Sequence, residues 1–258
     1  LWKLLMGMRA CGLKNDALME TFYEIVGANY KSKGDYAVYV FHDRYDIPVV
    51  EDAAEGFGSK FDGRILGTFG KFGVLSFNGN KMITTSGGGA LVCQSVEDKN
   101  TVMWYATQAR DAYPYYQHTA IGYNYRMSNV VAGVVRGQFP YLKEHIAQKK
   151  AIYERYKEGL KGLPVSMNPM DLENSEPNYW LSCMIIDKDA MCKQVRGEQD
   201  VCYVKETGKS CPTEILEAIS SINAEGRPIW KPMHMQPIYR LNRSEEHTSE
   251  LQSLNRIS

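Results

Sequence analysis

"VVEDAAEGFGSKFDGRILGTFGKFGVLSFNGNKMITTSGGGALV", Val49 to Val92, decides the reading of this chain. Ile47–Val50 reads as a short buried strand that ends in Glu51 and Asp52. Val74–Asn78 reads as a second strand, and Gly87–Gln94 as a turn followed by a third. The residues before Ile47 read as the end of a helix. A helix leading into a β-branched strand is half of a βαβ unit, so a parallel sheet is expected. Lys81 stands between the second strand and three consecutive glycines. A lysine pressed against a buried strand is costly unless something uses its amine. Loops at strand ends are where open α/β sheets keep their sites.

Outward from this stretch the chain alternates between helix and strand patterns. Gly56–Gly73 is glycine-rich and carries the turn signals "DG" and "GTFG". Val96–Arg110 reads as a helix. Met127–Leu163 is the longest helical segment, with Ser128 as N-cap and Pro140 forcing a kink or a break. Upstream, Asp16–Tyr30 fits an amphipathic helix and Tyr36–Phe41 a strand. Downstream, Tyr179–Ile186 fits a strand, and helices are expected near Lys188–Val195 and over Thr213–Ile222. Glu225–Pro237 is a loop punctuated by prolines.

Bulk properties exclude some classes of function. The chain has 258 residues, 44% hydrophobic and 23% charged, which suits a soluble globular protein. Lys+Arg and Asp+Glu are both 30, so there is no electrostatic argument for nucleic acid or an anionic membrane as partner. No apolar run approaches the roughly 18 residues of a membrane span. Six cysteines without CxxC spacing fit a reducing cytoplasmic setting, and no Cys/His cluster has metal-ligand spacing.

Taken singly, the polar residues of the opening stretch are ordinary. Asp52 suits a turn or N-cap, Ser76 a hydrogen-bonded turn, Lys81 the surface, and the glycines a turn. Together they suit one cofactor, pyridoxal 5'-phosphate. Its carbonyl takes a lysine as a Schiff base, its ring nitrogen an acid partner, and its phosphate hydroxyl and amide donors.

The segment from Glu51 to Val92 resembles the cofactor segment of the DegT/StrS-type sugar aminotransferases. "GYNYRMSN" (Gly122–Asn129) and "GRPIWKPMHMQP" (Gly226–Pro237) also look like segments of that family. The resemblance implies the fold-type I PLP-dependent transferase architecture: α/β, a mostly parallel sheet flanked by helices, with a smaller partial C-terminal α/β domain. It implies that Lys81 bonds the cofactor and shuttles a proton, that Asp52 pairs with the ring nitrogen, and that Ser76 binds the phosphate. Asn124 would reach the phosphate of a neighbouring subunit in a homodimer. Glu55 stands where relatives often carry Gln or His near the ring hydroxyl, a departure. Trp230, His234 and Gln236 would lie near the substrate, or else simply pack the loop. Some relatives replace the lysine with histidine and dehydrate a sugar; the lysine here favours transamination. The substrates implied are a nucleotide-linked keto-deoxysugar, UDP- or dTDP-linked, and an amino-acid donor, glutamate. The product would feed polysaccharide or glycan synthesis.

Residues 1–160 are expected to form an incomplete large domain, 161–242 a partial small domain, and 243–258 a non-native tail. The expected phosphate-binding turn and stacking aromatic are not found in residues 1–45. The abrupt "RSEEHTSELQS" (Arg243–Ser253) resembles a translated sequencing adapter. The first stretch, "LWKLLMGMRACGLK", lacks the apolar core and cleavage site of a signal peptide. Two other readings stand beside the aminotransferase. One is an inactive fragment of such an enzyme. The other is a nucleotide-binding domain with "SGGG" cradling phosphate, although the GxxxxGK[ST] spacing is missing and the glycines precede a strand.

Overall fold

A computed structural model describes residues 48–170, 172–196 and 201–230. The helix expected at Asp16–Tyr30 and the strand from Tyr36 lie outside the described residues. In chain order the elements are β1 (Val50–Asp52), β2 (Lys60–Phe61), β3 (Arg64–Ile65), β4 (Phe72–Ser76), β5 (Gly89–Cys93) and α1 (Val96–Ala106). There follow α2 (Asn129–Gln138), α3 (Leu142–Gly159), β6 (Val165–Met167), β7 (Ser175–Glu176), β8 (Met184–Ile186), β9 (Lys193–Arg196), β10 (Val201–Val204) and α4 (Pro212–Ser221). The chain forms two compact units. One runs to Tyr153 and takes up Pro169–Leu181; the other holds Glu154–Asn168 and the chain from Ser182 on.

The first unit is built on β1, β4 and β5, in that order across the sheet with β4 central. The β1–β4 pair is parallel, as expected, with Asp52 opposite Val74. The β4–β5 pair is antiparallel, with Ser76 opposite Gly89. Parallel neighbours must be joined by a crossover, and here the connection is the glycine-rich stretch Gly56–Gly70. Two short strands, β2 and β3, lie inside it, where the glycines and "DG" signal turns. Asp62 and Gly63 take φ of 47° and 76°, both left-handed, as a two-residue hairpin turn requires. They join β2 to β3, and β2 pairs on its other edge with β7. The Lys60 ammonium lies 3.0 Å from the Glu176 carboxylate across that pair.

The turn at 67–70 is satisfied from both neighbouring strands. The Glu51 carboxylate of β1 accepts the N–H groups of Gly67 (2.5 Å) and Phe69 (3.0 Å). The Gln94 side-chain amide, just past β5, donates to the carbonyls of Thr68 (3.1 Å) and Gly70 (2.9 Å). Gly73 sits directly under the Gly67 carbonyl oxygen, where any Cβ would collide with backbone. Only glycine lets the turn lie this close to β4.

The Met127–Leu163 segment divides as its proline demands. Ser128 caps α2, its Oγ accepting the Val131 N–H at 3.3 Å. Phe139–Tyr141, which contains Pro140, is a 3-10 turn, and α3 follows. Ser95 caps α1 in the same way. The core of this unit holds Val49, Ala53, Phe77, Met82, Ile83, Tyr153, Tyr179 and Trp180.

In the second unit β6 pairs antiparallel with β8, β9 pairs antiparallel with β10, and α4 confirms the helix expected at Thr213–Ile222. The strand expected over Tyr179–Ile186 is reduced to Met184–Ile186, the length over which β6 pairs with it, and Tyr179 itself takes a left-handed φ of 55°. The helix expected near Lys188–Val195 is absent. A 3-10 turn at Lys188–Ala190 leads instead into β9, where a partner strand overrides local helix propensity. The Lys209 ammonium and the Lys193 N–H beside Glu206 hold its carboxyl below its ordinary range. Among the described residues no helix is long and apolar enough to cross a membrane.

Glu51→Ala leaves two turn N–H groups without their acceptor. Hydrogen bonds to a charged group contribute roughly 1.5–3 kcal/mol. A loss of that size is expected in urea unfolding, with the midpoint lowered and the slope unchanged. An unchanged midpoint would show that Gln94 alone holds the turn.

Candidate functional site

Parallel pairing brings the carboxyl ends of β1 and β4 to one edge of the sheet. Asp52 ends β1 and Ser76 ends β4, two residues beyond the register partner of Asp52. Asp52 is exposed, and its Oδ1 accepts the Ala54 N–H at 3.3 Å. The Ser76 Oγ accepts the Asn78 N–H at 3.3 Å.

Beyond Ser76 the chain makes a closed loop that returns to its origin. The Phe77 N–H donates to the Gly88 carbonyl at 3.0 Å, and the Phe77 carbonyl accepts the Thr85 N–H at 2.9 Å. Lys81 rides on this loop, its N–H donating to the Asn78 carbonyl at 3.0 Å. Met82 and Ile83 are buried directly after it. Two helices grip the far side. Gln138 of α2 accepts the Thr84 N–H at 3.2 Å and donates to the Thr84 carbonyl at 2.6 Å. His145 of α3 lies 3.2 Å from the Met82 carbonyl through Nδ1. The backbone under Lys81 is therefore fixed by a core and by two helices.

The Lys81 side chain is 12% exposed. Its Nζ lies 3.3 Å from Glu55 Oε1 and 4.2 Å from the centre of the Trp180 ring. Glu55 sits in the turn after β1, closed by the Gly56 N–H donating to the Ala53 carbonyl at 3.0 Å. Its side chain is 55% exposed, so the ion pair is a surface-type pair contributing about 0–1 kcal/mol. Glu55, expected near a cofactor hydroxyl, has Lys81 as its partner.

The glycines after Lys81 have local explanations. Gly88 takes a left-handed φ of 86°, and a Cβ on Gly89 would run into the Leu75 carbonyl oxygen. These two close the loop onto β4 and start β5 without a phosphate.

Asn124 stands apart from these residues. It is exposed and bridges Thr107 at the end of α1. Its loop is stitched to α1 by the Tyr123 N–H donating to the Tyr105 carbonyl (2.8 Å) and the Gln108 N–H donating to the Tyr123 carbonyl (2.9 Å). Trp230 is exposed, in the second unit after α4. His234 and Gln236 lie outside the described residues.

Two residues beside Lys81 were missed by the sequence reading, Asn178 and Trp180. The buried Asn178 amide donates to the carbonyls of Glu55 (2.8 Å) and Phe57 (3.1 Å), and its Oδ1 accepts the Trp180 N–H at 3.0 Å. The signal available was "PNYW" itself, an Asn after proline that reads as a turn rather than a strand start.

The donor set fits pyridoxal phosphate. It offers a partly shielded amine, a carboxylate at a strand end, a hydroxyl at the neighbouring strand end and an aromatic face. Asp52, Ser76 and Lys81 are the residues that would hold it.

The chain is similar to known proteins in sequence and in fold. The model of the DegT/DnrJ/EryC1/StrS aminotransferase family matches residues 36–255. EpsN of Bacillus subtilis (strain 168), which carries the name of a pyridoxal phosphate-dependent aminotransferase, is 39% identical over 197 residues. That match covers 76% of this chain and 46% of EpsN. GDP-perosamine synthase of Escherichia coli O157:H7 is 30% identical over 192 residues, covering 74% of this chain and 46% of that protein. The chain thus spans about half the length of the curated relatives it matches. In fold it is similar to PseC of Helicobacter pylori, an aminotransferase involved in the biosynthesis of pseudoaminic acid, with a TM-score of 0.67 at 18% identity. That likeness covers 85% of this chain and 56% of PseC. The architecture is the α/β fold of type I PLP-dependent transferases, and the chain belongs to the DegT/DnrJ/EryC1/StrS aminotransferase family.

Proposed function

We propose that this chain carries the cofactor-binding part of an aminotransferase that moves an amino group, from glutamate, onto a keto-deoxysugar linked to a nucleotide. The observation that carries this reading is the Lys81 amine, 12% exposed, on the loop that leaves β4 at Ser76, next to the parallel strand that ends in Asp52. The relatives bear on the substrate. GDP-perosamine synthases are among them, which adds GDP-linked sugars to the UDP- and dTDP-linked ones. Polysaccharide or glycan synthesis would consume the product.

Bound pyridoxal phosphate would supply an electron sink that the twenty side chains lack. Lys81 would anchor it and later hold and return a proton at Nζ. Glu55, as counterion, steers that amine without burying it. Asp52 would offer a carboxylate at the strand end to pair with the ring nitrogen. Ser76 would donate a hydrogen bond from its hydroxyl to the phosphate at the neighbouring strand end. Trp230, His234 and Gln236 are proposed for the substrate side.

A homodimer is part of the proposal, with Asn124 serving the partner's site. Support comes from the surface around Asn124. Tyr113, Tyr115, Tyr116, Ile121, Tyr123 and Tyr125 are all exposed, more apolar surface than a solvated loop needs.

The direct test is to incubate the chain with pyridoxal phosphate, reduce with borohydride and map the adduct by peptide mass. A phosphopyridoxyl group on Lys81, absent in Lys81→Ala, is expected. An adduct spread over the exposed lysines would refute the assignment. Ser76→Ala removes one hydrogen bond of about 1 kcal/mol, so cofactor affinity should fall roughly fivefold in an equilibrium titration. In a full-length version, Asp52→Asn should leave affinity nearer to wild type yet lower turnover by about 100-fold or more, as loss of the ring's charge partner predicts. Equal turnover in that variant would remove Asp52 from the mechanism.

A further inference from the structure

Trp180 has no part in the function proposed above, yet it touches Lys81 at two levels. Its ring lies 4.2 Å from the Lys81 Nζ. Its indole N–H donates to the carbonyl of Asn80, the residue before Lys81, at 2.6 Å. We propose that Trp180 is a positioning residue for Lys81, its ring face cradling the ammonium and its ring N–H pinning the backbone that carries it.

The surroundings of Trp180 are built to aim it. The strand β7 ties this segment to β2, and Asn178 then binds the Glu55 and Phe57 carbonyls and the Trp180 N–H. The Asn178 N–H donates to the Ser59 Oγ at 3.0 Å. Tyr179 is buried with a left-handed φ of 55°, a conformation a bulky aromatic adopts only when its neighbours impose it. Its ring packs against Tyr153 at 5.3 Å between centroids. That turn sends residues 178 and 180 inward together. One buried amide thus sets both holders of the lysine, Glu55 through its carbonyl and Trp180 through its N–H.

A tryptophan that merely filled the core would need no polar contact with the lysine loop. The structure gives it two, and both end on residues 80 and 81. Trp180 itself is 7% exposed, so the ring face is desolvated on the side that meets the ammonium, where cation–π attraction is strongest.

The inference rests on the preceding reading only in treating Lys81 as the reactive amine. Its test compares Trp180→Leu and Trp180→Phe with the wild-type chain by two labels, each mapped to Lys81 and scaled to exposed Lys99 and Lys157. One label is trace acetic anhydride without cofactor; the other is pyridoxal phosphate fixed with borohydride. In Trp180→Leu the amine is freed, so acetylation of Lys81 should rise about threefold or more while phosphopyridoxyl labelling falls roughly tenfold. Trp180→Phe keeps a ring face but loses the ring N–H, so both labels should fall between wild type and Trp180→Leu. Thermal melts report whether each variant folds. If Trp180→Leu shows no cooperative melt, Trp180→Met replaces it, filling similar volume without a ring. Both labels unchanged in a folded ringless variant overturn the proposal. So does a Trp180→Phe variant as impaired as the ringless one. A wild-type Lys81 that takes acetyl but no phosphopyridoxyl group overturns the preceding reading instead, and the acetylation comparison still judges Trp180.

Discussion

The site depends on one residue's backbone, that of Phe77. Its N–H binds Gly88 and its carbonyl binds Thr85, so ten residues leave β4 and return to the same point. Without this pinch the loop would be an ordinary excursion, and Lys81 would sample a wide volume. With it, Met82 and Ile83 are driven into the core and Lys81 is held at the strand edge. The Phe77 ring is itself buried against Phe57, at 6.0 Å between centroids, in the connection between β1 and β4. Strand pairing and loop closure are therefore one cooperative arrangement rather than two.

Gln138 extends that arrangement to the helices. Its amide meets both backbone groups of Thr84, as a strand partner would. A side chain doing the work of a strand suits a loop that is held in place without joining the sheet. Unpaired amides here would be costly in a partly buried position, so the glutamine supports the loop as well as the packing of α2.

Much of this was legible in the sequence because its determinants are local. Apolar runs near Asp52 and Ser76 announced β1 and β4, though β1 is Val50–Asp52 and largely exposed where a buried Ile47–Val50 is expected, and β4 is Phe72–Ser76 rather than Val74–Asn78. "GGGALV" announced β5, and Ser128 and Pro140 marked where helices begin and break. The sequence was less clear wherever a distant partner decides the outcome. The β2–β3 hairpin was signalled by "DG", but its pairing with β7 joins residues far apart in the chain. Lys188–Val195 looks helical until β10 is available to pair with β9. Asn178 reaches Glu55 across 123 positions of sequence, and no local pattern encodes that contact. Glu55 was noticed as a departure from its relatives, but its partner Lys81 could be named only from the structure.

The strength of the contacts around Lys81 suits the chemistry proposed for it. A lysine that must bond a cofactor, release it and carry protons cannot be locked in a buried, multiply bonded ion pair, since breaking such a pair costs several kcal/mol. Nor can it be left loose, since a four-carbon stem carries about 2 kcal/mol of rotamer entropy. An exposed carboxylate at 3.3 Å and a ring face at 4.2 Å sit between those limits. Each contributes on the order of 1 kcal/mol, enough to bias the amine toward one place and little enough to let it go. The rigidity is placed instead in the backbone, in Phe77, Gln138 and Asn178, where nothing has to move during turnover.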